Sequence, residues 1–126
     1  MRHLKYLLIS AAVALGCGPA APTMAGGKPA SHWVDALRDP DPKKREEAAE
    51  KLGNVGSADQ AAYPALVGAL KDPSAKVRGA AILALGRPGS KAKEAVPALQ
   101  DLKERDPDPG VRQYAAKALK NLTGGG

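Results

Sequence analysis

The chain has no phenylalanine, and aromatic residues make up only 3% of its 126 residues although 44% are hydrophobic. Any core has to be assembled mainly from Ala, Leu and Val, which suit closely packed helices; a sandwich or barrel draws on β-branched and aromatic side chains. An ordinary β fold is therefore not expected. The one cysteine, Cys17, cannot close an intramolecular disulfide, and with two histidines it falls short of a protein-built zinc site. Long runs of one charge are missing too: Lys43, Lys44 and Arg45 are followed at once by Glu46 and Glu47. Nucleic-acid binding needs a concentrated basic strip, so no nucleic-acid partner is expected. Catalysis has equally little to stand on. His32 follows Ser31, but adjacent residues do not make a nucleophile and base without a fold that points them together. The carboxylates of Asp106 and Asp108 are accounted for by turn and capping roles. The sequence implies no catalytic residue, no metal ligand and no cofactor.

Residues 1–16 carry the three parts of an export signal: Arg2 and Lys5 in front, an apolar stretch from Leu7 to Leu15, and small residues at its end. The stretch is too short to cross a bilayer, which takes about 20 residues. With Arg2 and Lys5 removed, 17 basic residues face 13 acidic ones and the formal charge falls from +6 to +4. Ala14-Leu15-Gly16-Cys17 resembles the lipobox of bacterial lipoproteins, with Ala14 where that family most often has Leu. The resemblance implies a lipidated Cys17 at the head of the mature chain, held to a membrane without spanning it and facing the periplasm or cell exterior. The alternative for the same segment is cleavage near Ala25, which gives a soluble secreted protein. Residues 17–30, rich in Gly, Pro and Ala, are expected to form a flexible linker. Residues 123–126 are expected to be a disordered tail.

The rest of the chain repeats with a period near 33 residues. Leu37, Leu70 and Leu102 correspond, as do Asp39, Asp72 and Asp106, each followed by Pro. Arg45, Arg78 and Arg112 correspond, then Ala48, Ala81 and Ala115, then Leu52, Leu85 and Leu119. Each copy reads as a hairpin of two helices. In the second copy, Asp59 is placed to cap a helix reaching about Lys71, and Pro73 breaks it. Ser74 starts another helix, with Val77, Ala80, Ala81, Ala84 and Leu85 on one face and Gly86 ending it. The first copy offers Ser31 to Arg38 and Pro42 to Leu52, with Asp41 as cap. The third offers about Lys91 to Glu104 and Pro109 to Leu122, with Asp108 as cap. Pro64 and Pro97 predict late helix starts or kinks.

The string Pro64-Ala65-Leu66, Leu70-Lys71-Asp72-Pro73, Val77-Arg78-Gly79-Ala80-Ala81 and Leu85-Gly86 is similar to HEAT repeats, and more closely to the short bacterial kind named after phycobilisome lyases. The third copy matches it through Val96-Pro97-Ala98-Leu99, Asp106-Pro107 and Val111-Arg112. The first is weaker, lacking the early Pro and carrying Lys44 in place of Val. The resemblance implies an all-α fold, an α-solenoid of about three HEAT-like hairpins over residues 31–122, with repeats at about 31–58, 59–90 and 91–122. It further implies a non-catalytic scaffold or adaptor for an unknown protein partner. The Asp and Arg series is expected to knit neighbouring repeats; the alternative is a basic ladder for anions. Counting 100° per residue along the second helices gives an outward face of Lys43, Glu46 and Glu50, then Lys76, Gly79 and Leu83, then Gln113 and Lys117. Leu83, with Ile82 beside it, is the apolar member of that face, and its two readings are a contact point and a single exposed Leu of the kind common on protein surfaces. Trp33, Val34 and Leu37 are expected to cover the front of the stack. No cap is visible at the back, so self-association through the last repeat into an envelope structure is the alternative function. The lyase resemblance adds bilin handling as a third reading, which the export signal and the lack of a second cysteine oppose.

Overall fold

The computed structural model describes residues 23–124. A short antiparallel hairpin, β1 (Met24–Ala25) and β2 (Lys28–Pro29), leads into six described helices: α1 (Ala30–Ala36), α2 (Pro42–Val55), α3 (Ala62–Ala69), α4 (Ala75–Leu85), α5 (Val96–Arg105) and α6 (Pro109–Leu122). Consecutive helices form three hairpins. The second helices, α2, α4 and α6, pack side by side and join the hairpins into one stack. The fold is the all-α solenoid of three hairpins. The signal segment and Cys17 lie outside the described residues.

The three Asp-Pro turns are built alike. The carboxylates of Asp39, Asp72 and Asp106 each accept the amide N–H two residues on, from Asp41, Ser74 and Asp108, at 2.8, 2.9 and 2.9 Å. Each turn thereby fixes the start of a second helix. Asp41 then caps α2 by accepting from the Lys43 amide, and Asp108 caps α6 by accepting from Val111, with Pro42 and Pro109 next in sequence. Ser74 flanks α4 without a side-chain hydrogen bond. Asp59 accepts from Ala61 in a turn instead of capping α3, which starts at Ala62 and is shorter than the sequence suggests. Likewise α5 starts at Val96, after a 3-10 turn at Lys93–Ala95. Pro64 and Pro97 sit in the first turns of these helices, where backbone amides have no partner within the helix to lose.

The core is a column of Leu52, Leu66, Leu70, Leu85 and Leu99, with small residues such as Ala48, Ala81 and Ala115 between them. Because α4 has a second helix on either side, its buried arc is wider than a surface helix allows. Val77, Ala80, Ala81, Ala84 and Leu85 are buried, and so are Gly79 and Ile82. One sequence expectation is corrected here. Ile82 is core, not part of an exposed contact with Leu83. Gly79 faces the outer groove but lies under Tyr114, whose ring would stand 3.4 Å from any Cβ placed there. Gly86 does close α4, but its φ of −92° is open to any residue. Glycine is needed for contact: a Cβ at position 86 would collide with Ala118 Cβ and stand 2.6 Å from Ala118 Cα. Gly53 meets Ala84 the same way, its Cβ position 2.7 Å from that of Ala84. These paired small residues set how closely the second helices approach.

The linker expectation is also corrected at its far end. Gly26 and Gly27 take positive φ of 56° and 75°, close β1 on β2, and lay the hairpin over Trp33. The Trp33 indole donates to the Ala25 carbonyl at 2.8 Å, and Ala25, Ala30 and Trp33 join the core. An Ala/Gly-rich stretch orders here because a large ring beside it supplies the apolar surface it lacks. Trp33 therefore covers the front of the stack beneath a cover of its own.

Candidate protein-docking face

The stack is stapled by arginines that each hold two turns. Arg45 donates through Nη1 to the carbonyls of Asp39 and Pro40 in its own repeat, and through Nε and Nη2 to both oxygens of Asp72 in the next, at 2.8 and 3.2 Å. Arg78 repeats the pattern with the carbonyls of Asp72 and Pro73 and the carboxylate of Asp106, at 2.8 and 3.1 Å. Two-pronged pairing of this kind fixes orientation as well as distance. It also occupies these guanidinium groups, leaving no basic ladder facing solvent at Arg45 and Arg78. Arg112 reaches the Asp106 carbonyl, and among the described residues it makes no ion pair.

Asp106 is the one charged residue of the described core, 5% exposed. Burial alone would raise its carboxyl, but hydrogen bonds from Arg78 and the Asp108 amide, with the charges of Arg78 and Arg112, hold it below the usual carboxylate value. A carboxyl depressed in the folded state adds stability that is complete above its unfolded value near 3.9 and is lost as pH falls through the folded value. The melting temperature of Asp106→Asn should therefore change less than that of the parent between about pH 5 and about pH 3. Parallel melting curves across that range would contradict this role. Arg45 is pushed above its ordinary value, chiefly by the hydrogen bond to Asp72.

The outer face of α2, α4 and α6 holds a groove of about 650 Å³. Glu46, Glu50 and Asn54 line it from α2, Lys76, Gly79 and Leu83 from α4 with Arg87 just beyond, and Asp108, Gly110 and Tyr114 from the start of α6. Arg87 is drawn toward α2 by donating to Asn54 Oδ1 at 2.8 Å. A second hollow of about 270 Å³ shares Leu83, Arg87 and Tyr114 and adds Pro88, Lys117 and Asn121. Leu83 is 49% exposed and Tyr114 44%, and both stand where the two hollows meet.

Of the residues expected on the outward face, Glu46, Glu50, Lys76, Gly79 and Leu83 line the groove and Lys117 lines the second hollow. Lys43 and Gln113 are exposed but line neither. Sequence reasoning missed Tyr114, Asn54 and Arg87. The available signal was Gly79, a position with no side chain on one helix, set near the lone aromatic of the next second helix.

Stacked hairpins with a shared turn and an arginine staple define a helical-repeat protein. A model of HEAT repeats matches residues 30–122, and the chain belongs to the HEAT-repeat family. It is similar to a chain in the complex of CpcE and CpcF of phycocyanin lyase from Nostoc sp. PCC7120, with 31% identity and a TM-score of 0.66. The match covers 83% of this chain and 41% of that one, so the present chain spans about two-fifths of its relative's length. No curated protein matches it.

Proposed function

We propose that the chain is a non-catalytic scaffold or adaptor that docks another protein across its second-helix face. Leu83 and Tyr114 carry this reading: two half-exposed apolar side chains at the centre of a groove, with Glu46, Glu50, Lys76 and Arg87 around them. An apolar centre inside a charged rim is the common anatomy of protein interfaces, and a centrally placed Tyr is a frequent anchor. The relative from a two-component complex supports a protein partner. The proposal includes export and attachment through a lipidated Cys17, supported by the pattern of residues 1–17. Among the described residues no helix is long and apolar enough to cross a membrane. The test is to make the full-length protein in its native host, cross-link mildly, purify from detergent-solubilised membranes, and identify by mass spectrometry both its amino terminus and its companions. A lipidated Cys17 with a reproducible companion is the expected result; an unmodified chain in the soluble fraction with none would count against it.

Bilin handling is kept as a second reading because the relative belongs to a phycocyanin lyase complex. Added bilin should show an unchanged absorbance spectrum in the presence of the protein; a shifted spectrum would favour this reading. End-to-end self-association has a specific obstacle. Gly53 and Gly86, which admit Ala84 and Ala118, are followed in the third copy by Lys120, so another hairpin stacked the same way would meet a long side chain. Sedimentation over a concentration series should give a constant monomer mass, and a mass that grows with concentration would revive polymerisation.

A further inference from the structure

The amino-terminal hairpin is tied to the array by contacts of several kinds. Trp33 Nε1 donates to the Ala25 carbonyl in a buried position. The Ala30 amide donates to the Thr23 carbonyl at 2.8 Å, and Thr23 Oγ1 donates to the carbonyl of Ala58, beyond the end of α2, at 3.3 Å. Lys28 Nζ lies 5.7 Å from the centre of the Trp33 ring. The turn is closed by Gly26, where an added Cβ would stand 3.2 Å from Lys51 Cε and 3.4 Å from Trp33 Cζ2. Trp33 is the only tryptophan and is 6% exposed. A chain beginning after Ala25 would lose Thr23 and Ala25, and with them the partners of the indole, the Ala30 amide and the Ala58 carbonyl. A buried donor left without an acceptor is costly, and the ring's cover would open.

We infer that residues 23–29 are an integral cap of the repeat array, that any maturation cut falls before Thr23, and that an anchored chain is held close to the lipid by its first repeat. The second and third parts rest on the proposed export and anchoring; the first does not. Between Cys17 and the cap lie Gly18–Pro22, five residues with a maximum reach of about 18 Å. A loose linker running on to Ser31 would reach about 47 Å. The short reach sets the first repeat nearest the membrane and restricts the search of the docking face to a thin layer above the lipid.

Two measurements on the full-length chain test this. The first is hydrogen exchange of the Trp33 indole N–H, a single resolved signal, in the parent and in Gly26→Val, which places a β-branched residue at φ 56°. Slow exchange in the parent, at least about tenfold faster in the variant, is expected of a closed cap. Fast indole exchange in the parent, or equal slow exchange in both proteins, overturns it. Should Gly26→Val fail to fold, the parent's indole rate and the protection of the Ala30 amide decide alone. The second is the amino terminus of the protein made in its native host. A terminus before Thr23 is expected of the processed chain, and a folded protein beginning at Gly26 overturns the inference. A terminus at Met1 refutes export and anchoring, while indole exchange still decides the cap.

Discussion

Gly86→Ala is expected to destabilise the protein by about 2 kcal/mol or more, although the same exchange usually favours a helix by up to about 1 kcal/mol. At position 86 the backbone angle suits any residue, so glycine brings no conformational advantage. What an added methyl meets is Ala118, including its Cα at 2.6 Å, and backbone cannot swing aside as a long side chain can. The α4 and α6 helices would have to separate, loosening the contacts of Leu85 and Ala115 as well. Gly68→Ala is the matched control, since nothing lies within 4 Å of its added Cβ and it sits inside α3; it should be neutral or stabilising. Urea melts of both variants, and of Gly86→Ala with Ala118→Gly, check the cause. The double variant should recover part of the loss, because the two sites interact directly. Gly86→Ala at parental stability would mean that the hairpins are not seated against one another as described.

Leu85→Ala is expected to cost about 2 to 5 kcal/mol, as the removal of a fully buried large side chain does. Its place in the middle repeat makes the loss severe. Every hairpin here is too short to bury its own apolar face, so stability comes from neighbours, and α4 has neighbours on both sides. Lys76→Ala, on the exposed side of the same helix, should cost under about 0.5 kcal/mol. Equal midpoints in urea for the two variants would show that the faces of α4 are wrongly assigned.

The repeat was legible because its punctuation is chemical. Asp39, Asp72 and Asp106 recur before Pro because one carboxylate both turns the chain and, in the second and third copies, receives an arginine from the preceding repeat. A residue with two local duties leaves a strong periodic mark. The packed face of α4 was legible for the same reason as any amphipathic stripe, but counting around one helix assumes a single buried side. The two-sided burial of α4 hid Ile82 and gave Gly79 a covering neighbour, neither of which follows from its own turn-by-turn pattern. Tyr114 was missed because its counterparts in the other copies are Glu47 and Ala80, so no repeat signal attaches to it. Its role depends on the bare backbone at Gly79, a relation between copies. The hairpin at residues 24–29 has strands of two residues, too short for alternation to register. A reading that asked where the indole N–H of Trp33 finds its acceptor had reason to look there.

The docking face is the claim on which the functional account depends, and Leu83→Glu combined with Tyr114→Ala tests it most directly. Leu83 is exposed, and Tyr114 rests on Gly79 outside the core, so the melting temperature should change little. The companion recovered by cross-linking from native membranes should fall at least tenfold in yield, the loss expected when a central apolar anchor worth about 1.4 kcal/mol or more is removed. The same companion recovered in the same yield from the folded variant would contradict the account.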